Sequence, residues 1–200
     1  MKKCLKTFAL LGCMAILACG PAWAYVFEFG DSSTIDTSDT SDALWLNSVV
    51  INASLDAIAL DLEVGQSSGP IYFATIGTTE TWINSDDLQP AAVTAFVDFD
   101  TPDLTTPLDG TSVGFSSFWQ FFQGWNLVWE EPVHIVTGSG LDFTVDLSDV
   151  FYSSWFWQGP DGTADIYADV TLNAVPIPTT LLLLASGLAG LVGMRRKLNT

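Results

Sequence analysis

The chain has 200 residues, 48% of them hydrophobic and 14% charged, with a net charge of −17. The six basic residues lie at the two ends, at Lys2, Lys3, Lys6, Arg195, Arg196 and Lys197, whereas the 23 acids all fall between Glu28 and Asp169. A middle without Lys or Arg excludes a nucleic-acid binder, because phosphates need cationic partners, and argues against sites that grip phosphate or carboxylate substrates.

Lys2, Lys3 and Lys6 precede a 12-residue apolar run, Thr7 to Ala18, and then Ala22-Trp23-Ala24. A basic start, a short apolar stretch and a small-x-small site together predict a secretory signal over residues 1–24, with a signal helix cleaved off after Ala24. The run is too short to span a bilayer. Ile16-Leu17-Ala18-Cys19-Gly20 loosely resembles a lipoprotein box, so lipidation at Cys19 competes with that cleavage. The three cysteines, Cys4, Cys13 and Cys19, all fall within the signal. The exported chain is therefore expected to have no disulfide, thiolate metal site or Cys nucleophile.

Residues 25–174 read as one β-rich domain. Asp31 to Asp42, rich in Asp, Ser and Thr, predicts a long surface loop. Val49 to Leu62 contains two alternating apolar runs, and Ile71 to Ile76 is a short apolar run. Val93 to Phe99 alternates, and Leu127–Trp129 and Val133–Val136 flank Glu130-Glu131-Pro132. Leu141 to Leu147 and Asp165 to Leu172 alternate cleanly. Turn signals stand between them at Gly65–Gly69, Thr101-Pro102-Asp103, Asp109-Gly110, Gly138-Ser139-Gly140 and Pro160-Asp161-Gly162. Short strands at this spacing predict an all-β fold, a single antiparallel β-sandwich of jelly-roll-like form. In Gly114 to Phe122 the spacing of Phe115, Phe118, Trp119 and Phe122 also fits a short helix.

Catalytic signals are sparse, and the domain reads as non-enzymatic. His134 is the only histidine, no Gly-x-Ser-x-Gly elbow accompanies it, and one His cannot build a His-based metal site. Glu130 and Glu131 are adjacent, so on a strand they would point to opposite faces and make a poor catalytic carboxylate pair.

The acids are the stronger signal. Carboxylates without basic partners repel one another unless water or cations neutralise them, and hard oxygen ligands suit Ca²⁺. Asp98, Asp100 and Asp103 are the best candidate ligands, since two same-face carboxylates at a strand end lead into a turn. Asp31, Asp36, Asp39 and Asp42 in one loop, and Asp161 with Asp165, are lesser candidates. The bland alternative is a hydrated acidic surface. Aromatic residues cluster between Phe115 and Trp129 and again between Phe151 and Trp157. They either fill the core or present a sugar or partner platform, for which Trp125, Trp155 and Trp157 are the candidates.

The C-terminus reads Val175-Pro176-Ile177-Pro178, then 16 uncharged residues from Thr179 to Met194, then Arg195-Arg196-Lys197. The apolar stretch predicts a transmembrane helix over 179–194, near the lower limit of about 17–25 residues, with the basic cluster cytoplasmic. Val-Pro-x-Pro, the Leu-rich span with Ser-Gly-Leu-Ala-Gly-Leu and the terminal Arg-Arg resemble the PEP-CTERM sorting signal, here over 175–200. Ile177 stands where the commonest pattern has Glu, which puts the subtype in question rather than the class. The resemblance implies export in a Gram-negative, exopolysaccharide-producing bacterium. It also implies processing by an exosortase, a membrane transpeptidase-like enzyme, and says nothing about the fold of 25–174. The resulting expectation is an exported, non-enzymatic cell-envelope or matrix protein associated with exopolysaccharide or biofilm. It would be held first in the inner membrane and then reach the cell surface. A Ca²⁺-assisted carbohydrate-binding module is the alternative.

Overall fold

The structure, a computed structural model, describes residues 24–117, 121–155 and 158–176, with short helical pieces at 183–184 and 186–188. Twelve strands follow in order: β1 (Ala24–Phe29), β2 (Thr34–Asp36), β3 (Leu46–Ile51), β4 (Ala59–Glu63), β5 (Ile71–Thr78) and β6 (Ala91–Thr101). After them come β7 (Leu104–Ser116), β8 (Phe122–Trp129), β9 (Val133–Val136), β10 (Asp142–Leu147), β11 (Val150–Trp155) and β12 (Gly162–Ala174).

The pairing is antiparallel throughout. The larger sheet runs β11-β8-β7-β6-β1-β4, with β2 also on β6, and the smaller runs β3-β5-β12-β10-β9. The fold is thus all-β and sandwich-like. Among the described residues, no helix is long and apolar enough to cross a membrane. The expected signal helix lies outside the described residues, as does most of the 179–194 span.

The alternation read from the sequence is what closes the core. β6 buries every second residue from Ala91 to Phe99, and β12 does the same from Ile166 to Leu172. Rings meet between the sheets: Phe27 and Phe99 of the larger sheet lie 5.0 and 5.8 Å from Phe143 of the smaller. Fully burying each such side chain contributes about 1.5–3 kcal/mol before entropy is counted.

Three local expectations are corrected. Gly114 to Phe122 is not a helix among its described residues, since Gly114–Ser116 end β7 and Phe122 opens β8. Asp109-Gly110 is not a turn but lies inside β7, paired with β6 and β8. Asp31 to Asp42 is not only a loop, because it contributes β2 and a 3-10 turn at Ser38–Thr40. The first two share a reason in β7, whose inward residues apart from Leu108, namely Thr106, Gly110, Ser112 and Gly114, are small or polar. They leave no apolar period, yet a Cβ on Gly110 would stand 2.7 Å from the Trp129 ring. Gly110 thus makes room for the Trp129 ring of β8, and Gly114 for Asp87 and Ile83.

The loop after β5 closes one end of the sandwich. Ile83 N–H donates to Gln123 Oε1 at 3.1 Å, and Gly114 N–H donates to the Asp87 carbonyl at 2.7 Å. This pins the start of β8, and so its outward face, in place.

Candidate functional site

The outward face of the larger sheet divides into two halves. On β4, β1 and β6 the outward side chains include Asp61, Glu63, Glu28, Asp98 and Asp100. With no Lys or Arg among the described residues, hydroxyl groups take the place of basic partners. Thr101 Oγ1 donates to Glu28 at 2.9 Å, Thr105 Oγ1 to Asp98 at 2.7 Å, and Thr94 Oγ1 to Asp109 at 2.8 Å.

The Ca²⁺ candidates lie in this acidic half. Asp98 and Asp100 crowd the same space above Gly30, where a Cβ would collide with the Asp98 carboxylate and stand 3.1 Å from Asp100 Oδ1. Asp98 also accepts the Ser32 N–H at 3.3 Å. Asp103 sits in the turn between β6 and β7. Among the described residues, no group of three or more His, Cys, Asp or Glu is placed to hold a metal ion. Asp36 instead accepts the Ser38 N–H at 2.9 Å, which holds its carboxyl below the usual range. Asp165 accepts Thr75 Oγ1 at 2.7 Å.

His134 is exposed, and its Nε2 lies 2.6 Å from Asp142 Oδ1. Asn173 Nδ2 donates to the same oxygen at 3.0 Å and is the larger cause of the lowered Asp142 pKa, with His134 assisting. Glu130 and Glu131 border a shallow cleft with Trp129, Asp146 and Asp149. Asp146 is pushed up chiefly by burial and further by Asp169, Asp149 and Glu131.

The other half, on β7, β8 and β11, has a different chemistry. Outward from β8 come Phe122, Gly124, Asn126 and Val128, and from β11 come Phe151, Ser153 and Trp155. β7 adds Val113 and Phe115. None of these positions carries a charge. Phe115 and Phe151 stack across Gly124 with centroids 5.1 Å apart and planes 10° apart. Phe122 and Trp155 lie 4.2 Å apart. Gly124 is needed there, because a Cβ would run into the Tyr152 carbonyl and stand 2.8 Å from Phe115 Cζ. Phe151 is 68% exposed, and Phe122, Val128 and Trp155 are each more than 40% exposed.

Of the aromatic candidates, Trp125 is corrected: it is fully buried on the inward face of β8, against Tyr152 at 5.9 Å, and offers no face to a ligand. Its inward position follows from pairing in register with Tyr152 of β11 and Gly114 of β7. Trp155 does reach the outward face. Trp157 lies outside the described residues. Sequence reasoning overlooked Phe115, Phe122 and Phe151 in favour of tryptophans. The usable signal was the two-residue spacing of Phe151 and Trp155 about Ser153, with Val150, Tyr152 and Ser154 facing in.

Of the sorting residues, Val175 packs against the core and Pro176 follows it, while Ile177, Pro178, Arg195 and Arg196 lie outside the described residues. Ala22 does so too, and Ala24 opens β1 opposite Glu63. Compared with family models, curated proteins and solved structures, the chain finds no match in any of the three.

Proposed function

We propose that the chain is an exported, non-enzymatic protein of the cell envelope or extracellular matrix, and that its domain works by binding. The observation that carries this reading is the divided outward face of the larger sheet. A hydrated acidic surface keeps the domain soluble and apart from polyanions, while one uncharged aromatic area stays open. Exposed apolar areas of this kind mark interaction surfaces. The alternation of successive strand groups between the two sheets supports reading the domain as a jelly-roll-like variant of the sandwich.

Delivery rests on the ends of the chain. The signal over 1–24 exports it, the 179–194 span holds the precursor in the inner membrane, and an exosortase acts at the tail that begins at Val175. Intact mass of the protein recovered from an exosortase-bearing Gram-negative host tests this. Loss of the segment containing Arg195 and Arg196 is expected, and its retention on the surface-located protein would overturn the sorting reading.

A second reading, Ca²⁺ assistance, draws on Asp98 and Asp100 sharing the space above Gly30. Millimolar Ca²⁺ should then raise the melting temperature beyond Mg²⁺ at equal ionic strength, because binding to the native state stabilises it by mass action. Equal effects of the two ions would reduce the acids to a screened surface.

A further inference from the structure

We infer that the uncharged aromatic face formed by β8, β11 and the Val113–Phe115 end of β7 is a platform for a neutral polysaccharide chain. This rests on reading the domain as an exported binding module and names the class of its partner.

The first argument is charge. The 23 acids of the domain are matched by no Lys or Arg among the described residues. A polyanion, whether an acidic polysaccharide or an anionic membrane, would be repelled and would find no cation on the platform. A polycation would settle on the acidic half around Asp61 and Glu28, not on the face that lacks acids. A second copy of this domain carries the same negative charge and is repelled as a body. A neutral partner meets none of these penalties.

The second argument is shape. From Phe122 to Val128 the platform extends about 20 Å along β8 at strand rise, and three strands give it a width of about 10 Å. Among the described residues it is an open strip floored by Gly124, which suits an extended polymer better than a small molecule held in a pocket.

The third argument is the mixture of groups. Aromatic rings accept the C–H faces of sugar rings, and such rings are the usual anchors of a recognition surface. Between the rings stand Asn126 and Ser153. Asn126 lies between Val113 and Phe151 in register, and Ser153 is exposed between Phe151 and Trp155. Polar groups set among rings match hydroxyls alternating with apolar C–H faces, which are the chemistry of a neutral glycan.

Affinity electrophoresis of the full chain tests the proposal, with dextran and mixed-linkage β-glucan as neutral probes and alginate as the anionic one. Retardation by at least one neutral glucan is expected, with none by alginate. Phe151→Ser should weaken binding about tenfold, the loss expected when an aromatic anchor is removed. Phe151→Tyr should restore it, and Asp61→Asn in the acidic half should leave it unchanged. Unchanged melting of the variants shows that the fold is kept. No retardation by either neutral glucan overturns the platform. So does binding that survives Phe151→Ser, equal retardation by alginate, or a dimer of the full chain that Phe151→Ser dissociates. Export and tail processing are read separately by intact mass, so the delivery reading can fail while the platform stands, and the reverse.

Discussion

The acidic and aromatic halves of one sheet face solve the same problem in opposite ways. Both are outward surfaces of antiparallel strands, and neither has a cation available. On β4, β1 and β6 carboxylates stay exposed and some are held by threonine hydroxyls, as Thr101 holds Glu28 and Thr105 holds Asp98. On β8, on β11 and on the end of β7 from Val113 to Phe115 the outward side chains carry no charge, and rings stack over a glycine floor. Beneath them the interiors differ too. The acidic half covers phenylalanines of β1 and β6, and the aromatic half covers Trp125 and Trp129, the latter admitted by Gly110. The contrast separates a surface that stays in water from one poised for a partner.

Variants can break that contrast at several strengths. Trp125→Ala, inside the aromatic half, should cost about 3–5 kcal/mol in urea unfolding, as a large buried ring leaves a cavity. A loss below about 1 kcal/mol would mean the ring is not interior. Gly124→Val should cost about 1–3 kcal/mol, because the new side chain meets the Tyr152 backbone. It should also part the Phe115–Phe151 stack, visible as a change in near-UV circular dichroism. In the acidic half, Thr105→Val should cost about 0.5–1.5 kcal/mol by leaving Asp98 short of a donor. A neutral outcome would show that water replaces the hydroxyl freely.

Proton binding probes the crowded acids. Asp146 faces Asp169 directly across β10 and β12, so Asp146→Asn should stabilise by about 0.2–1 kcal/mol. The pKa values of Glu80, Asp87 and Asp146 are raised, each mainly by burial. Their charged forms weigh against folding above the raised values, and that penalty is relieved as pH falls through them toward the ordinary carboxylate range near about 4. Asp142 and Asp36 have lowered values, so the stability they add above the ordinary range is lost as pH falls through theirs. Melting temperature should therefore rise on mild acidification from neutrality, pass through a maximum and then fall. A steady decline from pH 7 downward would contradict this. The smallest effect belongs to Phe151→Ser, whose ring is exposed, and stability should change by no more than about 0.5 kcal/mol.

Much of the fold was legible where one side of a strand is apolar and the other is not. β6, β10 and β12 announce themselves by strict alternation, because one face meets the core and the other meets water. β7 did not, because its inward residues apart from Leu108 are small or polar, Gly110 among them to receive Trp129, and no local pattern records a neighbour's size. Most acids lie at the surface, with Asp87 buried, and their hydroxyl partners were not legible, since Thr105 and Asp98 meet across a hairpin register. Trp125 was misplaced as a platform residue for a related reason: residue type marks an aromatic as able to bind, and only strand pairing decides which way it faces.

The split of basic ends and acidic middle and the β-rich pattern follow from the sequence by itself, because they depend on composition and period. Which aromatics are buried, where carboxylates find hydroxyls, and that Val113, Phe115, Phe122, Phe151 and Trp155 share one uncharged face follow only from the tertiary structure. They depend on which residue stands opposite which across β7, β8 and β11, and a shift of one residue would turn every one of those side chains to the other side of the sheet.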